Sequence, residues 1–217
     1  RGLGDVYKRQ KILDRPLEKY AVELVNVDSV AFSPFVNLFS SQNVQTCFSK
    51  VAIVTDDDRC TKKSETNYIN KDFDYDDVNS DISGKLLSGT PSERCNELET
   101  SCRAVGINVF KATKTLEYAL CCDENNIEYF IEAIKSEYSQ LGPALEQKVN
   151  SLHDMNEKAA CVWLFIRARE KCKGAIAQYI SQIIKKQCEM RKRGENIEKE
   201  FVIPDYLKEA VYCVTER

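Results

Sequence analysis

The sequence has a single histidine, His153, and none of its ten cysteines falls in a Cys-x-x-Cys pair. Zinc sites need clustered thiolate or imidazole ligands, so this scarcity argues against one. No run approaches 18 apolar residues, which argues against a membrane-spanning helix. No apolar stretch follows a basic N-terminal region, so no secretory signal is read. Excess positive charge is also missing: the formal net charge is -3 and the pI about 5.5. This argues against a generic basic nucleic-acid coat, so contact with nucleic acid must be local or mediated by cations. Internal repeats and low-complexity tracts are absent. The cysteines, at 47, 60, 95, 102, 121, 122, 161, 172, 188 and 213, are therefore expected as reduced thiols in a cytoplasmic protein.

What is present is a chain of 217 residues, 43% hydrophobic and 30% charged, long enough to bury a core as one domain, or as one domain with a helical appendage. Val22–Val27 alternates apolar and polar residues and reads as a strand. Val30–Phe39 is nearer a helical period, and Val51–Thr55 is the kind of short run buried on both faces of a parallel sheet. Strand, helix and strand in this order predict a right-handed βαβ unit. Residues 59–90 are polar and carry Asp72, Asp74, Asp76, Asp77 and Asp81, which predicts a surface insertion. Thr90 and Pro91 suit the start of a helix that Gly106 ends, and 107–111 predicts a third strand. Beyond Glu124 the pattern is helical, at about 124–140, 143–152, 155–171, 173–190 and 204–214, with a turn at Gly142-Pro143. The expected fold class is α/β: a small parallel sheet with flanking helices over about 11–122, then a helical part over 123–217.

The chemistry centres on Val51-Ala-Ile-Val-Thr-Asp-Asp-Asp58. Side chains at i and i+2 of a strand point the same way, so Asp56 and Asp58 can converge on one hard cation. Carboxylates that close repel unless a metal or proton lies between them. An acidic turn after a strand is the simpler alternative. Between Arg167 and Arg193 nine basic residues face two acidic ones, a local charge that would suit a phosphodiester or simply a solvated helix. Lys173 lies on the same face as the apolar stripe Ile176, Ile180, Ile183 and Ile184, so its ammonium must snorkel outward or meet an anion. His153 has no partner at ligand spacing and is expected to be structural or exposed.

Val51-Ala-Ile-Val-Thr-Asp-Asp-Asp-Arg-Cys60 resembles the Asp-x-Asp strand of Toprim domains, most closely those of the OLD family of ATP-dependent endonucleases. The segments Glu23–Phe39, Lys114-Thr-Leu-Glu-Tyr118, Lys173-Gly-Ala-Ile-Ala177 and Phe201–Ala210 resemble the family's other segments in the same order. The likeness runs from about Lys11 to the end, and the last three segments are its OLD-specific part. It implies a Toprim-like (Rossmann-like) fold and Mg²⁺- or Mn²⁺-dependent cleavage of DNA. By the same likeness Asp56, Asp58 and Glu117 would be metal ligands, with two ions in the intact protein, and Lys173 would neutralise charge on the phosphate.

The family also uses a glutamate on an upstream strand and an N-terminal ABC-type ATPase, through which it would bind ATP and form a homo-oligomer. No Gly-x-x-x-x-Gly-Lys-Ser/Thr loop occurs here. Asp5-Val-Tyr-Lys-Arg-Gln10 resembles the translation of a transposon end used in sequencing-library preparation, so residues 1–10 are expected to be non-native. The chain is then expected to lack the first glutamate and to be inactive or weakly active alone. Asp28-Ser29 stands where relatives tend to have glycine.

Rival readings were weighed on residues. An aspartyl-phosphate phosphatase favours Thr or Val two positions after the second Asp, where Cys60 stands. A calcium loop from Asp72 fails at its sixth and twelfth positions, Asp77 and Ser83. Other Toprim enzymes, of primase or topoisomerase type, and a non-catalytic Toprim-derived assembly module remain as alternatives.

Overall fold

The computed structural model describes residues 17–27, 31–39, 50–59, 73–169 and 171–215. Residues 1–10, Asp28-Ser29, Cys47, Cys60 and Asp72, on which several expectations rest, lie outside these. A short helix, α1 (Ser33–Leu38), has Pro34 in its first turn, where the missing N–H costs nothing. Strand β1 (Ala52–Asp56) follows. Helices α2 (Ser80–Leu87) and α3 (Glu93–Ala104) then lead to β2 (Asn108–Ala112). The strands pair in parallel, from Ala52 opposite Asn108 to Asp56 opposite Ala112.

A small apolar layer forms on one face of this pair: Val36 of α1, Ile53, Leu98 and Cys102 of α3, and Ile107. Strand alternation sends Asn108 to the other face, where its side-chain amide donates to Cys213 Sγ at 3.3 Å. Cys213 belongs to the last helix, α9 (Asp205–Thr215), after α4 (Leu116–Cys121), α5 (Glu124–Glu137), α6 (Leu141–Ser151), α7 (Met155–Ala168) and α8 (Cys172–Lys192). The sheet is thus held between α1 and α3 on one side and α9 on the other.

The main core is helical and centres on α7, whose residues Ala159 to Ile166 are all buried. Helices α2, α4, α5 and α6 pack around it, and α8 packs on α5. Asp154 starts α7 by accepting from the N–H groups of Asn156 and Glu157, and Asp123 does the same for α5. Two buried amides fix the approach to α9. Asn126 bonds both polar groups of the Val202 backbone, and Gln187 bonds the Phe201 N–H and the Lys199 carbonyl. These bonds satisfy the backbone of a segment that has no regular partner. All eight described cysteines are free thiols, and burial pushes the Cys161 thiol up to about 12. Among the described residues no helix is long and apolar enough to cross a membrane.

Several expectations need correction. Val22–Val27 forms no strand: it pairs with no sheet edge among the described residues, and Leu24 and Val25 are exposed. Alternation gives a segment one apolar face but supplies no hydrogen-bond partner. The described residues therefore hold two strands, and the βαβ unit spans β1 to β2. β1 is also not buried on both faces, because Val54 is 43% exposed.

The 59–90 insertion is helical in its second half. Asp74 and Asp77 cap a 3₁₀ turn at Tyr75–Asp77, and Asn79 caps α2, which buries Ile82 and Leu86 one turn apart. Ser92, not Thr90, caps α3. Gly142 and Pro143 sit inside the first turn of α6 rather than in a break. A Cβ at Gly142 would come within 2.6 Å of Lys135 Cα, so glycine is required by the close crossing of α5 and α6.

The basic stretch does not form one open face either. Arg169 lies 4.0 Å from the Phe165 ring centroid, Arg167 stacks on Trp163, and Arg191 and Arg193 pair with Glu200 and Glu195.

Candidate functional site

The carboxyl end of β1 continues into a loop bound to the loop after β2. The Asp57 N–H donates to the Ala112 carbonyl and the Asp58 N–H to the Lys114 carbonyl, both at 3.0 Å. Asp58 and Lys114 both adopt left-handed backbone, with φ of 47° and 62°. Neither is glycine, and such conformations persist only where the surroundings over-determine them. The turn at Asp58 ends the strand alternation on which simple convergence of Asp56 and Asp58 relied.

Asp57, which the sequence reading passed over, is the buried member of the acidic triplet, 2% exposed. Its Oδ1 accepts from the N–H groups of Arg59 and Lys114, both at 2.9 Å, and its Oδ2 accepts from the Arg59 guanidinium at 2.6–2.7 Å. The Lys114 ammonium is buried too. It donates to the Leu86 carbonyl at 2.7 Å and the Arg59 carbonyl at 3.2 Å, and stands 4.7 Å from the Trp163 ring centroid. This network ties the acidic loop to α2 and to the α7 core. Strand alternation alone could have shown that Asp57 points away from Asp56.

Asp56 ends β1 on the α9 face of the sheet. Its carboxyl is pushed up to about 7, first by burial, then by the nearby carboxylates of Glu117 and Asp58. The Leu116 N–H and the Lys173 ammonium oppose the shift. Glu117 lies in the first turn of α4, which Thr115 caps by accepting from the Tyr118 N–H. The Lys173 ammonium, in the first turn of α8, is 3.5 Å from Glu117 Oε1. Its Ile176 and Ile180 neighbours on the stripe are buried, and the ammonium reaches outward to an anion as its position required.

Segments around positions 56, 117 and 173 thus meet at the carboxyl edge of the parallel pair, where open α/β sheets collect ligands. Asp58 lies beside them but is held by Arg94 of α3, 2.5 Å from its Oδ2. Among the described residues no three Asp, Glu, His or Cys side chains close on one point at metal-ligand spacing. His153 is exposed, between α6 and α7 and away from these groups in the chain.

Carboxylate oxygens are the donors a small hard cation takes, one or two sufficing when water completes its shell, and burial first, then Glu117 and Asp58, hold a proton on Asp56 near neutrality. Comparison of the chain with protein-family models, with curated proteins and with solved structures finds no match.

Proposed function

We propose that this chain carries the metal-dependent phosphodiester-cleaving site of a Toprim-type nuclease of the OLD kind, acting on DNA. The observation that supports it most is the meeting of Asp56, Glu117 and Lys173, three groups far apart in sequence, at the carboxyl end of β1. Asp56, Glu117 and Asp58 would hold a divalent cation, which when bound supplies Lewis-acid activation of a water and neutralises phosphate charge. Lys173, held by Glu117, would turn its ammonium to a non-bridging phosphate oxygen and stabilise the charge that grows there. Asp57 and Lys114 touch no substrate in this reading. They fix the loop that aims Asp56 and Asp58.

Incubation with supercoiled plasmid and Mn²⁺ should give slow nicking that EDTA abolishes. Asp56→Ala and Lys173→Ala, with unchanged circular dichroism, should each lower the rate by at least about ten-fold. Nicking that survives Asp56→Ala at the wild-type rate would contradict the proposal.

A second reading, an assembly module derived from the same fold, is favoured by the absence of a closed three-carboxylate cluster among the described residues. No nicking by the wild-type chain, together with a partner interaction that Asp56→Ala leaves intact, would favour that module.

A further inference from the structure

Arg94 stands at the proposed cation site without belonging to any of the segments that suggested it. Its Nη2 donates to Asp58 Oδ2 at 2.5 Å and to the backbone carbonyl of Asp56 at 3.3 Å. The guanidinium therefore already neutralises one of the three carboxylates. Its other terminal nitrogen, Nη1, is buried with no hydrogen-bond partner among the described residues. A buried N–H without an acceptor is costly, so this placement of the side chain is incompletely satisfied. The side chain is 27% exposed and borders a cleft of about 1330 Å³ between α1 and α3, lined among others by Ser33, Asn37 and Glu97. It has both a reason to leave and somewhere to go.

We infer that Arg94 is an internal counter-cation, which pairs with Asp58 and must release it before a divalent cation can bind there. The inference rests on the cation-site reading above. Competition follows from charge alone. Asp58 can be neutralised by the guanidinium or by a metal ion, and the Arg94–Asp58 attraction is subtracted from the metal's binding free energy. Because the pair is partly exposed, the subtraction is modest. On release, Arg94 would carry its positive charge into the cleft beside the site, where it could meet the phosphate backbone of a nucleic acid.

The test is Mn²⁺ binding to the full chain at pH 8, followed by the loss of the free-ion electron paramagnetic resonance signal. It requires no turnover. Arg94→Gln should tighten Mn²⁺ binding by about three- to five-fold relative to wild type. Arg94→Lys, which keeps the charge, should gain less than Arg94→Gln. Equal or weaker binding by a folded Arg94→Gln overturns the counter-cation role while leaving the cation site standing. Absence of Mn²⁺ binding by wild type and both variants overturns the site and the inference together.

Discussion

Replacing Asp56 with asparagine should make the protein more stable at pH 8, by about 2–4 kcal/mol, rather than less. The Asp56 carboxyl is pushed from 3.8 to about 7 by burial and by Glu117 and Asp58. Each unit of such a shift is worth about 1.4 kcal/mol, so the full linkage is about 4–5 kcal/mol, and the loop's access to water reduces it.

The folded state holds this proton more tightly than the unfolded chain does. Its advantage is therefore complete below about pH 4, declines as the pH rises toward 7, and is gone above it. Asparagine keeps the shape and the acceptor for the Leu116 N–H but has no charge to bury. Urea unfolding should show Asp56→Asn and wild type nearly equal at pH 4 and well separated at pH 8. A destabilised Asp56→Asn at pH 8 would show that Asp56 is held by partners that favour its charge.

The neighbouring position should respond in the opposite sense. Asp57→Ala removes the acceptor of two backbone N–H groups and of the Arg59 guanidinium from a site that is 2% exposed. The Lys114 N–H is then left buried without its acceptor, and the loop loses one of its ties to the strand edge. Breaking a buried charge pair costs about 3–5 kcal/mol, less here because Arg59 can turn to water, so a loss of about 2–4 kcal/mol is expected. Asp57→Asn, which keeps one acceptor oxygen, should lose less than the alanine variant. Equal stability of Asp57→Ala and wild type in the same urea titration would mean that the network does not hold the loop.

Opposite effects of two adjacent aspartates on stability would separate the roles of the acidic triplet. A residue buried to be satisfied stabilises the fold. One buried among like charges weakens it.

Much of this was legible in the sequence, and what was missed has a common cause. The strands at 52–56 and 108–112 and the five C-terminal helices fall within a few residues of where apolar period and Pro204 put them. Those signals are local. The segment at 22–27 has the right alternation, but a strand exists only with a partner edge, which no local pattern supplies.

Helix α2 was hidden inside an acidic stretch because its buried face needs only Ile82, Ser83 and Leu86. Gly142-Pro143 reads as a break by composition. The glycine is there because α5 passes too close for a Cβ, and proline is tolerated in a first turn. At the site, Asp56, Asp58, Glu117 and Lys173 were singled out from the sequence. Asp57, Lys114 and Arg94 were not: alternation shows only that Asp57 turns away from Asp56, and the pairings to Lys114 and Arg94 cross tens of residues.

The central claim is that Asp56 and Glu117, with Asp58, form a site for a divalent cation. It is tested most directly by Mn²⁺ titrations, at pH 8, of wild type, Asp56→Asn and Glu117→Gln. The account predicts saturable binding to wild type that weakens by at least about ten-fold in each variant while the fold is kept. The same affinity in all three proteins, or none in wild type, would contradict it.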